Sequence, residues 1–460
     1  MEYLVLIVFV LGYLFIALEH KFKIDKAASA LLTGTICWGL FVIGIHEVPE
    51  HLLSDFTAFK SDFMGDASLA LHTFFEHRLL HHMEDISSIL FFLLGAMTIV
   101  ELVDAHEGFA VITDRIKTNN KVTLMWILAI LTFFFSAVLD NLTTSIVMVS
   151  LLRKLIDDKE TRWMFAGIVV ISANAGGAWS PIGDITTTML WIGNQLTSGV
   201  IITHLFIPSV VCLLVPLGIL SFTMSGEIER PKLVNKETGE PTTSGERNLV
   251  FFLGVAGLLF VPVFKMATHL PPFMGMMFSL GMMWVVTEVL HRSKNHEDRN
   301  QLSVIGVLRK IDSASVLFFL GILLAVAALQ EIGHLVAAAS WLRDSLGDVY
   351  AINVTIGLLS AIVDNVPLVA ASMGMYDITP ALTDPAVGSW ESYFVQDGIF
   401  WQFLAYCAGT GGSALIIGSA AGVAVMGLEK IDFVWYLRKI SLLALSGYLA
   451  GAGVFWLMYH

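Results

Sequence analysis

Apolar residues run along this chain in stretches close to the roughly 20 residues that carry a helix across a bilayer, broken by short polar segments. The pattern predicts spans at 3–18, 27–45, 86–103 and 200–224 in the first half, and at 249–264, 273–290, 313–329 and 440–459 in the second. The run 122–152 is too long for one span and too short for two. Lys121 precedes it and Arg153 and Lys154 follow it, so both ends belong on the same side of a membrane. That predicts a re-entrant helical hairpin, tolerated at membrane depth only where protein or a cavity surrounds its turn. A second hairpin is predicted at 351–375, and interrupted helices at 163–192 and 399–428, the first broken over Asn174 to Thr187.

Three blocks of the first half recur in the second, in the same order. Leu90-Phe91-Phe92-Leu93-Leu94-Gly95 answers to Leu317-Phe318-Phe319-Leu320-Gly321, and Ser136-Ala137-Val138-Leu139-Asp140-Asn141-Leu142 to Ser360-Ala361-Ile362-Val363-Asp364-Asn365-Val366. The stretch from Ala175 to Asp184, with Gly176, Gly177, Pro181 and Gly183, answers to Thr410 to Ser419, with Gly411, Gly412 and Gly418. These glycines and the proline are read as helix breakers. The expected organisation is a repeat at 1–225, a polar linker at 226–247 and a second repeat at 248–460. Paired Gly- or Pro-interrupted apolar segments in matching positions are the sequence mark of a transporter site.

Composition agrees: 56% of residues are hydrophobic and 14% charged, against about 25% charged in an ordinary soluble chain. The fold class expected is an all-α polytopic membrane protein. The first apolar run lacks a basic leader and a small-residue cleavage site and reads as a span. Cys37, Cys212 and Cys407 all sit in apolar runs, as packing thiols would. The net charge of −13 comes without a basic patch, so no nucleic-acid partner is expected, and no G-x-x-x-x-G-K motif suggests nucleotide-driven pumping.

Orientation follows from the basic residues. Placing the lysine-bearing span ends in the cytoplasm leaves 22 of the 26 lysines and arginines there and only Lys60, Arg78, Lys265 and Arg343 outside. The two repeats are then inverted, and both termini are expected outside.

The doublets Asp140-Asn141 and Asp364-Asn365 place ionisable groups inside apolar runs, where such groups are costly and mark function. Asp184, Asn174, Thr143, Thr144, Thr186 and Thr187 share that setting. The competing structural roles are plain ones: Asp-Asn as hairpin cap and turn, Asp184 as a helix cap, the threonines bonding back to carbonyls, and Gly176-Gly177 as close-packing residues. Glu101, Asp104 and Glu288 lie near span ends and are expected at the interface. His72, His77, His81 and His82 with Glu76, Glu84 and Asp85 make an external patch beside the third span, read chiefly as an amphipathic surface helix.

Hairpins entered from opposite faces, each followed by a broken helix, resemble the ion transporter superfamily of divalent-anion/sodium symporters and arsenite pumps. Within it, the Asp-Asn tips and the stretch AGGAWSPIGDITT resemble the NhaD-type sodium/proton antiporters. The resemblance implies exchange of Na⁺ or Li⁺ for H⁺ by alternating access, no enzyme activity and no resident cofactor beyond the transported ions. It implies a homodimer in a bacterial inner membrane. Alkali cations are hard and take oxygen ligands, so Na⁺ is expected at Asp140, Asn141, Asp184 and Asp364, competing with protons for the carboxylates. The alternative is a cation-coupled symporter or an anion carrier for dicarboxylate or arsenite. It would want Arg or Lys at the tips, and none is present.

Overall fold

The chain forms helices almost throughout in the computed structural model, which describes residues 2–17, 19–45, 47–63, 70–109, 111, 116–230, 242–380, 385–386 and 388–460. In order they are α1 (Glu2–Ala17), α2 (Lys26–Gly44), α3 (Ala70–Ala105), α4 (Lys121–Leu139), α5 (Asn141–Leu155), α6 (Lys159–Gly177), α7 (Ile185–Ile192), α8 (Ser198–Thr223) and α9 (Ser244–Thr268). There follow α10 (Pro272–Leu290), α11 (Ser313–Ile332), α12 (His334–Leu346), α13 (Val349–Leu359), α14 (Asn365–Met375), α15 (Ile399–Gly411), α16 (Ala420–Glu429) and α17 (Ser441–Tyr459), with shorter helical turns between. Among the described residues the only β-pairing is in two isolated bridges, Asn120 with Glu227 and Thr379 with Val395.

Eight of these helices are long and apolar enough to cross a membrane: α2, α3, α4, α8, α9, α10, α11 and α17. Their exposed faces carry large apolar side chains such as Phe222, Phe252, Met266 and Leu442, which water would not tolerate in such number and lipid accepts. This is a polytopic membrane protein. Cys37, Cys212 and Cys407 are buried free thiols.

The predicted interruptions are present, with sharper bounds. The run 122–152 is α4 and α5, parted only at Asp140, and the run 351–375 is α13 and α14, parted at 360–364. In the first broken helix the gap is 178–184, shorter than the predicted 174–187. Asn174, Gly176 and Gly177 remain helical in the last turn of α6, because the chain there needs close approach more than a break. In the second, α15 runs through Gly411 and passes through a tight turn at Gly412–Ala414 before α16. The third span is longer than expected: α3 has 36 residues, and the stretch read as a surface helix before residue 86 is continuous with it from Ala70. Residues 231–241 of the predicted linker lie outside the described ones.

Two compact units emerge, and both draw on each half of the sequence. One comprises residues 1–93, 312–348 and 370–377. Its centre is the crossing of α2 and α11, where Gly34 lies against the Gly321 backbone and Trp38 Nε1 donates to the Leu324 carbonyl at 2.8 Å. The other comprises 94–311, 349–369 and 378–460 and contains both hairpin tips and both broken helices.

Candidate functional site

Inside the second unit, both helix breaks are held by backbone crossing backbone. A Cβ on Gly176 would collide with the Phe133 carbonyl of α4, and one on Gly411 with the Gly357 carbonyl of α13. Gly183 presses in the same way on the Ser136 carbonyl, and Gly418 on that of Ser360. Two serines complete the match: Ser136 Oγ donates to the Ala173 carbonyl at 2.5 Å, and Ser360 Oγ to that of Ala408 at 3.0 Å. Each hairpin is therefore riveted to its own broken helix through the same positions in both halves.

These rivets bring the polar residues of the first hairpin and first break together. Asn141, 3% exposed, sends its amide nitrogen to Asp184 Oδ2 at 2.8 Å and to Asn174 Oδ1 at 3.1 Å. Asn174 in turn donates to Ser413 Oγ and Ser419 Oγ, both at 2.9 Å. The network thus spans the first hairpin tip, the first break and the second break. Ser413 was no candidate of the sequence reading, and Ser419 entered it only as the counterpart of Asp184; the signal available for both was the matched glycine block around them.

Asp140 sits at the tip with φ +76° and ψ 160°, a region held almost exclusively by glycine that costs on the order of 1–3 kcal/mol for other residues. Its carboxylate caps α5, accepting from the Thr143 amide at 2.7 Å and hydroxyl at 2.8 Å. Asp184, 2% exposed, caps α7 by accepting from the Thr186 amide at 3.0 Å. Both acids therefore do the capping work that the plain structural reading assigned them, and Thr143 serves Asp140 directly. The Thr187 hydroxyl donates to the Ser180 and Asp184 carbonyls, which fastens the break. The hydroxyls of Thr144 and Thr186 are buried and complete no hydrogen bond of good geometry among the described residues.

The second tip is looser. Asp364 is half-buried and accepts from the Val366 amide at 3.3 Å, and the buried Asn365 amide nitrogen makes no hydrogen bond among the described residues. No hydrogen bond links Asp364 or Asn365 to the Asn141–Asn174–Asp184 network among the described residues. Nor does any Lys, Arg or His form an ion pair with Asp140, Asp184 or Asp364 among them.

Two other buried carboxylates do have cationic partners. Glu429, ending α16, takes Arg153 Nε at 2.6 Å and Arg162 Nε at 2.7 Å. Glu331, in α11, takes Arg78 Nη2 and His82 Nε2, both at 2.7 Å. His82 is thus drawn out of the predicted external patch, while His72, His77 and His81 stay exposed along α3. Glu288 pairs with Arg299 at 2.8 Å at the end of α10, as a span-end acid does.

The arrangement separates structural carboxylates, each neutralised by basic side chains, from carboxylates that have none. Burying an unpaired charge in a low-dielectric interior is costly, so the second kind require a proton or a bound cation when they are enclosed. The oxygens around Asn141 and Asp184, together with two unbonded threonine hydroxyls, are the hard donors such a cation takes.

Comparison with known proteins points the same way. The family model described as citrate transporter matches residues 7–391. Sodium/proton antiporter 1 of Arabidopsis thaliana is 45% identical over 451 residues, 98% of this chain and 71% of the relative. Sodium/proton antiporter 2 of the same plant is 43% identical over 97% of both. The Na(+)/H(+) antiporter NhaD of Vibrio cholerae is 30% identical over the whole of this chain and 92% of its own length. These relatives are transporters, not enzymes. The chain belongs to the citrate transporter family of membrane proteins and, within it, to the NhaD-type sodium/proton antiporters.

Proposed function

We propose that this protein exchanges Na⁺, and Li⁺ with it, for H⁺, and that both compete for the carboxylates at the hairpin tip and helix break. The observation that carries the reading is the Asn141–Asp184 hydrogen bond in a network free of basic side chains. A carboxylate so enclosed leaves the membrane interior neutral with either a proton or a cation aboard, and exclusion of one by the other is what an antiporter needs. Asp184, Asn141, Thr144 and Thr186 are the proposed first ligands, with Asp140 beside them at the tip. Asn174 has both its amide hydrogens on Ser413 and Ser419 and acts as the frame that positions Asn141.

The matched glycine and serine contacts of the two halves support a repeat at 1–225 and 248–460, and the charge count supports its inversion, with the basic helix ends facing the cytoplasm. An inverted pair of this kind alternates access by moving one set of helices against another around a fixed site. Asp364-Asn365 is then the partner half-site. Plant relatives at 45% and 43% identity widen the setting beyond a bacterial inner membrane to other membranes of the same polarity.

Citrate transport is the second reading, favoured by the description of the family model. A tricarboxylate would want cationic side chains, and the network offers it a carboxylate. The deciding experiment is dequenching of a pH dye in everted vesicles on adding Na⁺ or Li⁺, with K⁺, succinate and citrate as controls. Dequenching by Na⁺ and Li⁺ alone supports exchange; a response to citrate but not to Na⁺ overturns it.

A further inference from the structure

Away from the candidate ion site, at the ends of α3, α9 and α10, two buried histidines meet. His106 follows α3 and His291 follows α10; they are 0% and 2% exposed, their Nε2 atoms lie 2.7 Å apart, and their rings stack at 4.9 Å. His106 Nδ1 is 2.6 Å from the Leu102 carbonyl, which can only accept, so that nitrogen carries a proton. A neutral His106 therefore presents a lone pair at Nε2, and His291 must donate from its own Nε2. That leaves His291 Nδ1 as a bare lone pair, buried without a hydrogen bond among the described residues.

The surroundings are charged. Glu246 of α9 puts Oε1 3.9 Å from His291 Nδ1, while its Oε2 is held by Lys294 at 2.9 Å. Arg247 pairs with Glu107 at 2.6 Å and donates to the Thr242 hydroxyl, which in turn meets the His106 carbonyl. Glu288 on α10 is turned to Arg299. One carboxylate edge thus faces the empty nitrogen, already neutralised by a lysine.

We propose that the His106–His291 pair is a second proton-binding site, distinct from the transport carboxylates, and that its protonation unpacks the meeting ends of α3, α9 and α10 and slows exchange. The first added proton goes to His291 Nδ1, the only ring nitrogen of the pair without hydrogen or partner. A second would set N–H against N–H at 2.7 Å and break the contact. Burial, and then the neighbouring His106 and Lys294, hold His291 down at about 4, and burial also lowers His106. An imidazole freed into water titrates near 6.5. Between those values the opened ends bind more protons than the packed ones, so packing is favoured above about pH 6.5 and lost as pH falls towards 4. The sense of control rests on the exchange reading: a protein that admits protons in return for Na⁺ relieves an alkaline cytoplasm and burdens an acid one.

Thr242 is 4% exposed and reports on the packing. In everted vesicles, maleimide labelling of Thr242→Cys should rise at least about threefold from about pH 8 to about pH 5.5, although thiols react more slowly in acid. The unsubstituted protein serves as the blank for Cys37, Cys212 and Cys407. The rise should vanish when His291→Gln is added. In parallel, His291→Gln should match the unsubstituted protein in Na⁺-driven exchange at about pH 8.5 and exceed it at about pH 6, where the free imidazole is protonated. Labelling that stays flat or falls with the native histidines present overturns the proposal, as does an unchanged acid limb in His291→Gln. Should that variant not fold, labelling with native histidines decides alone. Should Na⁺ drive no exchange at all, the exchange reading fails while the labelling still tests the site.

Discussion

The amide nitrogen of Asn141 stands 2.8 Å from Asp184 Oδ2, across 43 residues of sequence, and so ties the tip of the first hairpin to the gap of the first broken helix. A buried hydrogen bond to a charged acceptor is worth about 1.5–3 kcal/mol. Asn141→Ala should therefore weaken apparent Na⁺ affinity by about 10- to 100-fold. The rate at saturating Na⁺ should fall less. Dye dequenching over a range of Na⁺ concentrations checks it: an unchanged half-saturation point would release Asn141 from the site.

Asp364→Asn should abolish exchange and leave the protein folded. Asp364 is half-buried, and its one hydrogen bond among the described residues comes from the Val366 amide, which an Asn oxygen can accept equally. Size-exclusion behaviour near that of the unsubstituted protein, together with loss of the Na⁺ response, is the expected pair of results. Near-normal exchange would reduce Asp364 to a turn residue.

Asp184→Ser installs the residue that stands at the equivalent place in the other half. Ser can still cap α7, as Ser419 caps α16 by accepting from the Gly422 amide, so the fold should survive while Na⁺ affinity falls by at least about tenfold, the loss of one charge-assisted contact. A role as cap alone, which Ser preserves, would leave both affinity and stability close to those of the unsubstituted protein.

Gly176→Ala puts a methyl on the Phe133 carbonyl, where only backbone can yield. Overpacking of this kind costs about 1–3 kcal/mol, read as a lowered midpoint of thermal unfolding in detergent. Gly281→Ala is the control: nothing lies within 4 Å of its Cβ position, and helix propensity makes it neutral or mildly stabilising.

Arg162→Ala should lower the unfolding midpoint more than Arg153→Ala. Both remove a partner from buried Glu429, but the Arg162 side chain is 20% exposed against 48% for Arg153. Arg162 also donates to the Ile156 and Asp157 carbonyls. Breaking a buried pair costs about 3–5 kcal/mol, and solvent and the second arginine reduce both losses below that. Equal midpoints would show the second arginine fully compensating.

The doublets Asp140-Asn141 and Asp364-Asn365 were legible in the sequence because acids in apolar runs stand out, and the breaks because glycine and proline cluster there. The extent of each break was not: a glycine that allows backbones to touch and one that ends a helix look alike in sequence, and Gly176 and Gly177 turned out to do the former inside α6. Nor could sequence find partners far apart along the chain. Glu429 meets Arg153 at a separation of 276 residues, and His106 meets His291 at 185. Residues near span ends read as interfacial one at a time; pairing is what makes them structural.

At each crossing of hairpin and broken helix a glycine presses on a main-chain carbonyl, and a carbonyl oxygen is the same whichever residue bears it. A duplicated half built this way keeps its shape while its side chains drift. One copy holds an acid at its break, Asp184, and the other a hydroxyl, Ser419, so inheritance of form and specialisation of chemistry are decoupled. The cap at a break can then change from acid to hydroxyl while the frame that holds it stays as it is.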